Sequence, residues 1–157
     1  MKILGIDPGL SVTGIALLET EKKPFPLAWE TIKYPKGKNR LYWYFKSLSE
    51  ILDREKPDLI VMEKSFRGSN TKTLIKLGEL RGVYLLLSQI KGLPVVEFSP
   101  REIKQSVTGS GSSSKKQVRF MVQEILNIQN EIPLDASDAF AGVICYMNRR
   151  CEYAGIN

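Results

Sequence analysis

The order of apolar patterns along the chain predicts an α/β fold: a mixed five-stranded sheet flanked by helices. Three observations predict it. The chain opens with an apolar run, a tight turn and a second apolar run, as in a hairpin meander. Two later runs of strand length, 58–63 and 93–98, are each preceded by a helix-period segment, the arrangement of βαβ crossovers. Of 157 residues, 43% are apolar, enough to cover both faces of such a sheet and too many for a disordered chain.

Residues 2–7, KILGID, read as the first strand. Pro8 and Gly9 turn the chain into a second strand over 11–19. A third is expected at 27–34, which alternates with period two. A helix follows from about Asn39 to Lys56, with Leu41, Phe45, Leu48 and Leu52 on one face and Pro57 closing it. Within DLIVME at 58–63 the four residues between the two acids are all apolar, as suits a strand covered on both sides. After the loop KSFRGSN, a long helix is expected over 71–90 with Asn70 or Thr71 as its cap. The strand LPVVEF (93–98) leads to Ser99-Pro100-Arg101-Glu102, which reads as an N-cap, a proline at the first helical position and a capping box. TGSGSSS (108–114) is the one stretch expected to be flexible, and helices are expected at about 114–127 and 136–149. This length and order predict one domain over 1–157.

The chain contains no histidine. That excludes a histidine-dependent triad, a histidine general base and a Cys2His2 zinc site. Cys145 and Cys151 read as free thiols of a reducing compartment. No apolar run approaches the roughly 20 residues of a membrane helix, and the start lacks a signal-peptide pattern, so a cytoplasmic protein with no membrane partner is expected. The net charge of +6 is unevenly spread: residues 64–119 hold 11 Lys/Arg against three Glu, a local +8, which leaves −2 elsewhere. Such segregation suits a polyanionic partner, and also suits a solvated basic face.

Against this basic background four acids stand out. Asp7 ends the first strand and Glu63 the fourth. Functional groups of open α/β sheets gather beyond the carboxyl ends of strands. If the two strands are parallel neighbours, about 4.8 Å apart, these carboxylates meet. Asp135 and Asp138 are three apart and share a helix face. Each acid alone has a plainer reading: Asp7 stabilises a turn, Glu63 ends a strand in solvent, and Asp135 caps a helix with Asp138 in its first turn. Together they form a set that repels itself unless a cation intervenes. Oxygen donors suit Mg2+ or Mn2+. Four carboxylates around two ions fit in-line phosphoryl transfer.

The basic half carries further candidates. Phe66 sits in a polar loop with Lys64 and Arg67, placed either to stack on a base or to fold back onto the core. Lys72 and Lys76 share a helix face, as phosphate contacts or as solvated cations. The glycine-serine stretch before Lys115 and Lys116 offers amides at a helix N-terminus, or is only a connector. Leu74, Gly78, Gly82 and Leu85 form a stripe that fits close helix approach, to the chain's own sheet or to a second copy.

LGIDPG, ME followed by SF, KLGELRG, EFSPREIKQSVTG, KKQV and DASDAFA occur in the order seen in the bacterial RuvC-type crossover junction endodeoxyribonucleases. The chain resembles these Holliday junction resolvases over nearly its full length. The resemblance implies a ribonuclease H-like fold, a homodimer, four-way junction DNA as substrate, and two Mg2+ ions per active site, with Mn2+ able to substitute. It carries the family's acids onto Asp7, Glu63, Asp135 and Asp138, and its junction wedge onto Phe66. It maps the basic residues near the site onto Lys104 and Lys115, with Lys116 as a neighbour. It favours the glycine stripe as a dimer seam and implies a branch-migration complex as partner. Rival classes are an actin-like nucleotide-binding protein, an enzyme acting on RNA or RNA–DNA hybrids, and a structure-specific DNA-binding protein without catalysis.

Overall fold

The computed structural model describes residues 1–21, 23–64 and 70–153, the last three of these without their side chains. Its elements run β1 (Lys2–Asp7), β2 (Val12–Glu19), β3 (Phe25–Lys33), α1 (Arg40–Glu55), β4 (Leu59–Glu63), α2 (Thr71–Ile90), β5 (Val95–Phe98), α3 (Pro100–Thr108), α4 (Lys115–Leu126) and α5 (Leu134–Tyr153). The sheet order is β3-β2-β1-β4-β5. β1, β2 and β3 pair antiparallel in succession, and β4 joins β1 and β5 in parallel. This is the mixed five-stranded sheet expected.

Helices cover both faces. Leu4, Ile6, Ile15, Leu17, Ile60 and Met62 pack with α1 and α2. Ile3, Ala16, Leu18, Leu59, Val61 and Phe98 pack with α3, α4 and α5. Because side chains alternate along a strand, Asp7 follows Ile3 and Gly5 onto the α5 side. Glu63 follows Leu59 and Val61 onto the same side. The parallel register ends at Ile6↔Met62, so Asp7 and Glu63 stand one step beyond it, side by side.

Local chemistry fixes the helix starts. Asn39 and Asn70 cap α1 and α2 by accepting from Tyr42 N–H and Thr73 N–H. Ser99 caps α3 in a full capping box with Glu102, which also meets Arg149. The hydrogen bonds from Ser99, then that guanidinium, hold the Glu102 carboxyl down at about 2. Some expected boundaries shift. β3 begins at Phe25 rather than 27, and β5 begins at Val95 because Leu93 N–H is taken by Ser88 O at the end of α2. The buried face of α1 centres on Tyr44, Leu48, Ile51 and Leu52, while Leu41 and Phe45 flank it half-buried. The glycine-serine stretch is a stitched turn rather than a flexible one. Thr108 Oγ1 meets Ser113 Oγ at 2.7 Å, and Gly111 N–H donates to Gln105 Oε1 at 3.1 Å.

α5 crosses the sheet at van der Waals distance, and two strand glycines permit it. A Cβ at Gly14 would lie 2.0 Å from the Asp135 carbonyl oxygen; at Gly5 it would lie 2.3 Å from that of Ala139. Backbone cannot yield to a Cβ at that range, and overpacking of this kind costs about 1–3 kcal/mol or more. Gly142 on α5 differs: a Cβ there would meet Val61 at an ordinary 3.5 Å. Gly14→Ala is therefore expected to lower the melting temperature sharply, whereas Gly142→Ala is expected to keep or raise it, by up to about 1 kcal/mol of helix propensity. Thermal denaturation of the two variants checks this; equal tolerance would mean that α5 does not rest on Gly14.

Candidate active site

Three elements deliver four acids to one edge of the sheet. β1 and β4 end in Asp7 and Glu63, and α5 brings Asp135 and Asp138 over them. The expectation that α5 starts near 136 is corrected: it starts at Leu134, so Asp135 lies within its first turn rather than at its cap. Ser137 N–H bonds to Pro133 O at 2.9 Å, a full helical turn already at that point. The close seat on Gly14 fixes where this turn lies, because Gly14 pairs directly with Asp7.

Two adjoining recesses share Asp7, Glu63, Pro100 and Lys115. The larger, about 500 Å³, adds Asp135, the Pro8–Val12 turn, and Thr73 and Leu77 of α2. The smaller, about 240 Å³, adds Asp138 and Lys104. Lys115, the first residue of α4, is bonded to the Asp138 carboxylate. Lys116, next in sequence, points elsewhere: it lines a separate recess with Ser110, Ser112 and Phe120. Lys72 and Lys76 are exposed on α2 and do not line either acidic recess, although their helix does through Thr73 and Leu77. Phe66 and Arg67 lie outside the described residues.

The turn after Asp7 is held from beneath by a contact not anticipated from the sequence. Thr13, fully buried on the opposite face of β2, accepts from Gly9 N–H and donates to Gly9 O, both at 3.3 Å. Its hydroxyl also meets Tyr84 of α2 at 2.8 Å. A buried hydroxyl pair of this kind must stay matched, so α2 and the Asp7 turn are fixed relative to each other. The signal for it was a lone threonine in an otherwise apolar strand.

The electrostatics follow from this crowding. Burial, then the charges of Asp138 and Glu63, push the Asp7 carboxyl well above the usual carboxylate range, with Lys115 opposing. Burial, then Asp138, push Glu63 up to about 7. Asp138 is raised by burial against the pull of Lys115. Burial works to lower Lys115, but its bond to Asp138 and the charges of Asp138, Asp7 and Asp135 outweigh that and raise it.

Among the described residues no three acids already stand close enough to cage an ion as placed; Lys115 is the counter-charge within the cluster. The donor set nevertheless fits divalent cations of the Mg2+ type: hard oxygen donors, no imidazole, and carboxyls whose mutual repulsion a cation relieves.

A raised acid favours folding at low pH. For Glu63 that advantage is complete below its unfolded value of 4.5 and is lost as pH rises through about 7. The span is on the order of 3 kcal/mol. In chelator-treated protein the melting temperature is thus expected to fall between about pH 5 and pH 7.5. Glu63→Gln is expected to flatten the fall and to melt higher at the upper end. A pH profile of melting identical in the variant would remove Glu63 as its source.

Comparison with known proteins identifies the family. The model of the family described as "Crossover junction endodeoxyribonuclease RuvC" matches residues 3–146. The crossover junction endodeoxyribonuclease RuvC of Syntrophomonas wolfei is 40% identical over 153 residues, covering 94% of this chain and 89% of the relative. The Thermus thermophilus RuvC structure superposes with a TM-score of 0.86 at 25% identity, covering 98% of this chain and 97% of that one. T. thermophilus RuvC in complex with Holliday junction substrate shares the fold, with a TM-score of 0.85 at 24% identity over 97% of this chain and 96% of that one. Its sheet, its order of motifs and its sequence agree: this chain belongs to the RuvC family of crossover junction endodeoxyribonucleases.

Proposed function

We propose that this chain resolves four-way DNA junctions during homologous recombination and repair, with paired symmetric nicks made by Asp7, Glu63, Asp135 and Asp138. The observation that carries this is the convergence of four acids from three separate elements at one sheet edge, beside Lys104 and Lys115, in a chain of net charge +6. Two Mg2+ ions are the proposed cofactors, with Mn2+ as substitute; when bound, they help to generate the nucleophile from water and neutralise charge at the leaving oxygen. Asp7 and Glu63 line both recesses, Asp135 one and Asp138 the other, a division that suits two ions. Lys115 and Lys104 supply positive charge beside the scissile phosphate. Thr13, through Gly9, keeps the Asp7 carboxylate in place.

The working unit is a single ribonuclease H-like domain, 1–157, acting as a homodimer in the cytoplasm with a branch-migration complex. No described helix is long and apolar enough to cross a membrane. Phe66 is the wedge at the junction centre, and Arg67, Lys72, Lys76 and Lys116 are further DNA contacts. α2 is the proposed dimer seam. Among the described residues, a Cβ at Gly78 or Gly82 would meet nothing within 4 Å, so neither glycine is there to let the described sheet come close. The exposed row runs through Ile75 and Leu86, 58% and 60% exposed, while Leu74 and Leu85 are half-buried. Two-fold symmetry about this row sets two active sites against opposed strands.

Asp7→Asn is expected to cut four-way junctions at least about 10²–10³-fold more slowly, the scale of losing one group that stabilises transition-state charge, while junction binding is kept. Chelation is expected to stop cutting by the parent protein, and Mg2+ or Mn2+ to restore it. Nicks mapped on junction, duplex and RNA–DNA hybrid side by side check the reading; preference for the hybrid would sink it. Leu86→Lys is expected to shift the protein toward monomer in sedimentation and to uncouple the paired nicks. An unaltered dimer would move the seam off α2.

A further inference from the structure

The carboxyl edge of the sheet continues past the acids to β3. Lys33, the last residue of β3, pairs with Val12, and Tyr34 N–H donates to Ser11 O at 3.0 Å. Ser11 and Val12 both line the acidic cleft. β3 lies two strands from β1, about 10 Å by sheet spacing. Lys33, Lys36 and Lys38 are exposed, and Arg40 opens α1. From Thr31 to Ser49 there is no acid at all. Among the described residues none of these four cations meets a carboxylate, whereas Arg54, Arg81, Lys91 and Arg119 each do.

The segment is also built rather than loose. The Tyr34 hydroxyl donates to Lys38 O at 2.6 Å, and Asn39 caps α1. The Arg40 guanidinium lies 4.7 Å from the Tyr34 ring centre, with its Nε buried and unpartnered. Stacking presets the arginine through a cation–π contact while leaving its charge without a carboxylate partner among the described residues. A cation at a helix N-terminus also opposes the helix dipole, an arrangement that an incoming anion would relieve.

We propose that Lys33–Arg40 is a second phosphate-binding ledge, which grips the backbone of a duplex arm leaving the active site on its β3 side. The inference rests on junction DNA being the substrate. It extends the DNA footprint to the side of the active site away from Lys104 and Lys115. The anion class follows from the layout: several unpaired cations in a row, continuous with a phosphodiester-cutting cleft, match a chain of phosphates better than one small ion.

The test is the salt dependence of junction binding by the full-length protein, with cutting suppressed by chelation. Each lost phosphate contact lowers the slope of log affinity against log salt by about 0.9. Lys36→Ala/Lys38→Ala is expected to lower it by about 1.8 on a long-armed junction, and by much less when the arms are trimmed to a few base pairs. Lys46→Ala, on the same helix with Glu50 as its partner, is the control for net charge alone and is expected to leave the slope unchanged. An unchanged slope in the double variant, or an equal fall in the Lys46 control, would overturn the ledge. Failure of the parent protein to prefer a four-way junction would instead overturn the junction reading, so the two failures are distinct.

Discussion

The active site depends on how closely α5 lies on the sheet. A helix backbone reaches a strand backbone only where no Cβ intervenes, and Gly5 and Gly14 leave that space. Both positions interrupt apolar strands, where a glycine forfeits packing and backbone order. The strands accept that loss at the two points where α5 carbonyls touch them. One of those carbonyls belongs to Asp135, and its contact, Gly14, is the direct partner of Asp7. Packing and acid convergence are thus one event.

The result is a cluster whose members disfavour one another's charge. Asp7, Glu63 and Asp138 are all raised, burial being the largest cause for each and neighbouring carboxylates adding to it. A core made only of such groups would open. Two devices resist this. Lys115 enters from the start of α4 and bonds Asp138. Thr13 and Tyr84 fix the Asp7 turn from the apolar face, where no charge is needed. The cluster is therefore held by neutral hydrogen bonds on one side of the sheet and by one cation on the other.

Much of this was legible in the sequence, for identifiable reasons. Strand periods and the apolar run 59–62 were enough to expect a mixed sheet in which two strands end in acids that meet if parallel neighbours, because alternation and connection rules leave few topologies. Ser99-Pro100-Arg101-Glu102 fixed the start of α3 because capping is local chemistry. What depended on distant partners was not legible. Ser11 and Tyr34 meet across the sheet edge, so the Lys33–Arg40 ledge was invisible in a charge count that assigned −2 to everything outside 64–119. The glycine-serine stretch looked flexible by composition, yet Thr108 and Gln105 stitch it from an adjoining helix. Lys115 and Lys116 are neighbours in sequence, and only the helix face separates their roles. Gly5 and Gly14 were visible as letters, but their meaning required knowing that α5 lies above them.

One consequence concerns how a polyanion approaches four acids at all. Unpaired negative charge at the centre of the cleft repels phosphate, and the attraction comes from cations around it. Lys115 lies within the cluster and is bonded to Asp138, while Lys104 lines the smaller recess; both act to lower the pKa values of Glu63 and Asp138. The cations of Lys33–Arg40, at the end of a strand two places from β1, meet no described carboxylate and keep their charge for a DNA backbone. A layout with an acidic centre and unpaired basic flanks therefore separates two tasks. The flanks hold DNA whether or not the centre is ready, and the centre admits a phosphate only once its own charge is offset. In the proposed reaction, binding without cutting is then a state the charge distribution favours by itself, and the acids govern the step from that state to cleavage.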